Sequence, residues 1–219
     1  GYPVGARTAA ELVESGALSR EEGERLLIFC NNAGPGFLLG ICGGAVFTSP
    51  RAGAALYLIH AASALFTGIL LTRRLPPLSA PFSAGAAPRR SVSLSAALPA
   101  AVQGALAGIL NVCAFVVFFT VCTRLLLRVL PESFAFSLPC ALLIGFFELT
   151  SGVTALPPTR AGFLACAALL AWGGLSVHCQ TLSALSASAL SARYYLRAKA
   201  AQALLSVILS LPALPFLFP

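Results

Sequence analysis

Apolar runs long enough to cross a bilayer follow one another from Leu26 almost to the end of the chain, and two of them are interrupted by polar and helix-breaking residues. The runs are 26–47, 52–72, 98–122, 161–182 and 200–218. About 20 apolar residues suffice to cross the hydrocarbon core as a helix. Backbone polar groups at that depth must be paired internally, which leaves helices or a closed barrel. Runs of this length predict an all-α polytopic membrane protein. Composition agrees: 58% of the 219 residues are hydrophobic, 10% are charged, and mean hydropathy is +0.89. A soluble domain carries about 25% charged residues, so a soluble enzyme, a disordered tail and a coiled coil are excluded.

The interruptions are where chemistry can reside. Run 26–47 contains Cys30-Asn31-Asn32-Ala33-Gly34-Pro35-Gly36. Pro35 lacks an N–H, the glycines weaken the helix, and two Asn side chains add donors and acceptors. This reads either as a discontinuous helix that binds a polar substrate or ion, or as a proline kink with Asn joining helices. Run 161–182 contains a second break, Gly173-Gly174-Leu175-Ser176-Val177-His178-Cys179-Gln180. His178 suits proton shuttling or anion binding, and equally a plain interhelical hydrogen bond. His60, in run 52–72, has no polar neighbours in sequence and reads as a structural histidine.

A further apolar stretch, 134–153, is interrupted by Pro139 and ends in Glu148, Thr150, Ser151 and Gly152, before Pro157 and Pro158. It reads as a re-entrant half-helix. Glu148 is the only acid within an apolar stretch; the chain has no Asp, and five of its seven Glu lie between positions 11 and 24. An ionised carboxylate at the bilayer centre costs roughly 3 kcal/mol on insertion scales. Glu148 is therefore expected to coordinate a cation, to titrate, or to pair with a donor such as Asn31 or His178.

The N-terminal stretch is the one soluble-looking part. An amphipathic helix is expected over 6–15 with Gly16 as its stop. Ser19 and Glu22 then form a capping box that starts the next helix. A flexible polar loop is expected over 73–97. Counting basic residues places the N-terminal stretch, the 73–90 loop and the 193–199 loop on one face, with 10 basic residues against 4, if 134–153 enters and leaves on one side. If 134–153 spans, the split is 8 to 6. The positive-inside rule prefers the first arrangement, with the N-terminal stretch cytoplasmic. The net charge of +7 is thus read as a topology signal, not as a nucleic-acid interface. The seven cysteines, Cys30, Cys42, Cys113, Cys122, Cys140, Cys166 and Cys179, show no metal-site spacing and read as buried thiols. No metal or cofactor is expected.

A polar tip precedes each broken helix: 1–6 before 31–36, and 148–153 before 173–180. Gly5 lies 27 positions before Asn32, and Gly152 lies 24 before Ser176. With the tips on opposite faces, this is the pattern of an inverted repeat with a midplane site. The first repeat is expected over 1–72 and the second over 98–219. The chain has no Met and opens inside what reads as a motif, so the first arm of the first hairpin is expected upstream of Gly1.

Four motifs in this order, Gly1-Tyr2-Pro3-Val4-Gly5-Ala6, the stretch from Glu22 into Cys30-Asn31-Asn32-Ala33-Gly34-Pro35, Phe147-Glu148-Leu149-Thr150-Ser151-Gly152, and Gly173 to Gln180, resemble the sporulation integral membrane protein YlbJ family. That family belongs to the nucleoside-recognition, or gate, domain group and is similar to concentrative nucleoside transporters. The resemblance covers nearly the whole chain. It implies a transporter-like protein that moves dipicolinate across the outer forespore membrane, the mother-cell-derived one. It also implies a substrate site drawn from Gly1, Tyr2, Pro3 and Gly5 of the first tip, Asn31, Asn32 and Gly34 of the first break, Glu148, Thr150, Ser151 and Gly152 of the second tip, and Ser176, His178 and Gln180 of the second break. Helix N-termini and backbone amides at the breaks suit a dicarboxylate.

The expected partners are the lipid bilayer, a small-molecule anion, a coupling proton or cation, and further copies of the chain in a homo-oligomer; nucleic acid is not among them. The rival readings are a non-transporting membrane scaffold of sporulation and a gate-type nucleoside or cation transporter. An intramembrane enzyme would need a nucleophile–base or metal constellation, which one membrane Glu and scattered Cys do not make.

Overall fold

The four long apolar helical stretches are Pro50–Thr72, Leu94–Leu127, Arg160–Leu185 and Arg193–Leu217, each long and apolar enough to cross a membrane. They belong to a computed structural model that describes residues 1–78 and 93–218. Most of the expected polar loop lies outside the described residues. Among those described, every regular element is helical and there is no strand.

The order is α1 (Val4–Glu14), α2 (Arg20–Cys30), a π-helical segment (Phe37–Val46), α3 (Pro50–Thr72), α4 (Leu94–Leu127), α5 (Glu132–Ala135), α6 (Leu138–Phe147), α7 (Leu149–Thr154), α8 (Arg160–Trp172), α9 (Gly174–Leu185), α10 (Arg193–Ser210), a 3-10 turn (Leu211–Ala213) and α11 (Leu214–Leu217).

Local chemistry sets the starts. The Ser19–Glu22 capping box forms as expected: Glu22 N–H donates to Ser19 Oγ at 3.2 Å, and Ser19 N–H donates to the Glu22 carboxylate at 2.8 Å. Ser49, Ser137 and Thr159 each accept a backbone N–H from the first turn of α3, α6 and α8. Pro139 therefore does not interrupt its segment. It sits in the first turn of α6, where its missing N–H costs nothing. The interruption falls instead at Glu148, which is extended (φ −134°, ψ 113°) and turns the chain between α6 and α7. The two helices fold back on each other: a methyl group on Gly152 would run into the backbone of Gly145 and Ala141.

α8 sits at the centre. Its Phe163, Cys166 and Leu170 are buried with Leu38 and Cys42 of the π-helical segment, Leu56 of α3 and Val153 of α7. A second cluster joins Ala6, Ala9, Leu27, Leu185 and Tyr195. α4 lies on the outside, and Thr123 is its only buried residue. At 1.5 Å per residue its 34 residues run about 50 Å, and they start four positions earlier and end five later than the expected run 98–122.

Two boundaries shift with consequences. The second break is confined to Gly173 and Gly174, both in the left-handed region (φ 88° and 78°), and Ser176 to Gln180 stand on the regular turns of α9. α10 begins at Arg193, not near Ala200, so Lys199 is a buried helix residue and not a loop charge. Without it the charge counts become 9 to 4 and 8 to 5, and the margin that favoured a same-side segment narrows.

Candidate functional site

The two tips and the two breaks converge. An added methyl on Gly1 would stand 3.6 Å from Gly34 N, so the first tip touches the first break. The Tyr2 hydroxyl donates to the Leu170 carbonyl at 2.9 Å, one of the acceptors that the break at Gly173 deprives of a helical partner. Gly174 packs against the Phe147–Leu149 turn, where an added methyl would stand 3.1 Å from Leu149 N and 3.3 Å from Phe147 O. Between these parts lies a cleft of about 220 Å³. Gly1, Tyr2, Gly34, Glu148, Thr150 and Gln180 line it, and Val112 and Val116 of α4 close its outer wall. Its size is below the range of about 300–1,000 Å³ typical of drug-sized ligands and suits a small metabolite.

Six of the fourteen expected site residues thus share one cleft. Ser176 stands one step behind, accepting from Gln180 Nε2 at 3.2 Å. Asn31 points inward, its amide donating to Thr181 Oγ1 at 2.8 Å. His178 is buried between Trp172 and Tyr195, with Nδ1 3.1 Å from the Tyr195 hydroxyl. Asn31 Oδ1 and His178 Nε2 are buried without a partner among the described residues. Pro3 lies in a separate apolar groove against α4, Ser151 faces another hollow beside Phe136, and Gly5 and Gly152 serve close packing.

Glu148 is paired with neither Asn31 nor His178. Its two oxygens accept the backbone N–H groups of Thr150 at 3.0 Å and Ser151 at 2.6 Å, so it caps its own helix. The amides at that tip are consequently occupied by the chain's own carboxylate, and a dicarboxylate cannot take them unless Glu148 leaves.

Sequence reasoning missed the polar seam behind the cleft. Lys199 Nζ donates to Asn32 Oδ1 and to Gln202 Oε1, each at 2.9 Å. Gln202 Nε2 donates to Asn32 Oδ1 at 3.2 Å, and Ser206 Oγ donates to Ser63 Oγ at 2.8 Å. His60 is not isolated: its Nε2 accepts the Ala33 N–H at 3.2 Å, satisfying a donor freed by the first break. Lys199, Gln202, Ser206 and Ser210 recur at helical spacing in an apolar run. That spacing was a legible sign of an inward polar face.

No family model, no curated protein and no solved structure matches the chain.

Proposed function

We propose that the protein is a membrane carrier of transporter type, binding a small anionic metabolite in the cleft between its two tips and two helix breaks. The observation that supports this most is the convergence of four chain interruptions, distant in sequence, on one cleft. A helix break inside a membrane exposes backbone groups that need protein, water or substrate as partner. In this reading 138–154 is a re-entrant hairpin, and the two tip-plus-break units are inverted repeats. The motif resemblance supplies the substrate, dipicolinate, and the setting, the outer forespore membrane.

Uptake of labelled dipicolinate into liposomes carrying the purified protein is the test. Saturable uptake is expected, reduced at least about tenfold by Gln180→Leu, which removes a cleft polar group that would face the substrate. A folded, reconstituted protein that moves no dipicolinate sinks the reading.

One observation favours a second reading, a non-transporting membrane scaffold of sporulation. Asn32, Lys199, Gln202, Ser63 and Ser206 satisfy one another, as side chains that only join helices would. The same liposomes decide between the two.

A further inference from the structure

The chain has fourteen basic residues, of which thirteen are arginine; Lys199 is its single lysine. Among the described basic residues Lys199 is also the one that is completely buried, at 0% exposure. Its Nζ contacts the amide oxygens of Asn32 and Gln202 and lies 5.5 Å from the ring centre of Tyr2 and 5.9 Å from that of Tyr195. Carbonyl-type oxygens and π faces are partners for an ammonium group. None of them carries a negative charge. The ion pairs Arg7–Glu11 and Arg20–Glu24 lie elsewhere.

The titratable groups facing Lys199 are Tyr2 from the first tip, Cys30 from α2, His60 from α3, His178 from α9 and Tyr195 from α10 itself. α8, also packed on α10, has Arg160 at its outer end on the Phe218 carbonyl and Cys166 set against Cys42. No carboxylate is in this set. A guanidinium keeps its proton under all ordinary conditions, whereas a buried amine can give its proton up. Elsewhere the chain uses arginine for positive charge. At the buried position 199 it uses the residue that can become neutral, held by dipoles that do not lock the charge in place.

We propose that Lys199 is the proton-carrying residue of the carrier, exchanging one proton per transport cycle with water in the cleft. The proposal rests on the carrier reading. Tyr2 both lines the cleft and lies over the ammonium, so the first tip separates Lys199 from the cleft water. When that tip moves, one N–H bond of the ammonium breaks, its electron pair stays on Nζ, and the proton passes to a water molecule as hydronium. The neutral amine takes a proton back from the opposite side to complete the cycle. Glu148, the one acid of the apolar segments, is engaged in capping α7 and is not needed for this step.

Two measurements test it. In liposomes with dipicolinate as probe, an inward gradient of about one pH unit should sustain about tenfold accumulation at one proton per substrate. Lys199→Met and Lys199→Arg should each abolish that accumulation relative to exchange of internal for external dipicolinate. Protein labelled with 15N at the lysine side-chain nitrogen carries one such signal, that of Lys199. Adding dipicolinate at fixed pH should shift the signal between ammonium and amine. Gradient-driven accumulation that survives both substitutions overturns the proposal, as does an ammonium signal that dipicolinate leaves unchanged. Exchange without any effect of the gradient in the unsubstituted protein overturns this proposal and leaves the carrier reading standing. Absence of exchange overturns both.

Discussion

Asn31 and Asn32 are neighbours of one type, yet they do unequal work. Asn31 donates to Thr181 and has an unpartnered oxygen, while Asn32 Oδ1 accepts from both Lys199 and Gln202. A hydrogen bond to a charged group is worth about 1.5–3 kcal/mol, and a neutral one about 1 kcal/mol. Asn32→Ala should therefore destabilise the folded protein by about 3 kcal/mol and Asn31→Ala by about 1 kcal/mol, read from denaturation in mild detergent. Equal midpoints for the two variants would count against the Asn32–Lys199–Gln202 seam. The two Asn were legible as inward-facing groups because they interrupt an apolar run. Their partners were not. Lys199 read as a loop charge because it lies just before an apolar run, and His60 read as a histidine without polar neighbours because its acceptor role depends on the Ala33 N–H, a contact made only when α3 packs beside the break.

At the scale of elements, segment length and capping chemistry were the legible part. The Ser19–Glu22 box, the stop at Gly16 and the apolar runs that became α3, α4, α8–α9 and α10 all follow from local sequence. What local sequence left open was which residue turns the chain. Pro139 looked like the interruption and proved to be a helix start, while Glu148 makes the turn by folding its carboxylate onto the next two free amides. The α6–α7 fold-back then depends on the contact of Gly152 with Gly145. Gly152→Val should separate these helices and lower the unfolding temperature by several degrees, on the scale of a core overpacking of about 1–3 kcal/mol. Gly36→Ala is the matched control, since a methyl there meets nothing within 4 Å and should leave the unfolding temperature within about one degree. If both substitutions behave alike, the close approach of α6 and α7 is not what holds this region.

Much of the exterior formed by the described residues is apolar. Leu98, Val102, Leu106, Ile109 and Val117 of α4 are each more than half exposed, as are Leu58, Leu65 and Phe66 of α3 and Leu204 of α10. So large an uncovered apolar surface is characteristic of a membrane or partner contact. Cys113, in the middle of α4, is exposed. In liposomes a membrane-impermeant maleimide should fail to label a variant retaining only Cys113, and should label it after the protein is unfolded in denaturant. Rapid labelling in intact liposomes would place α4 in water. The enclosure of the cleft by Val112 and Val116 ties that outer helix to the site, a relation beyond the reach of hydropathy because both valines look like ordinary membrane-facing residues.

The burial of Lys199 has a practical corollary. With every other basic side chain an arginine, the folded molecule offers amine-directed reagents no side-chain target on its surface. An N-hydroxysuccinimide ester or a lysine-specific protease should leave the native chain's side chains untouched and find Lys199 only as the seam opens, which makes its reactivity a gauge of that opening.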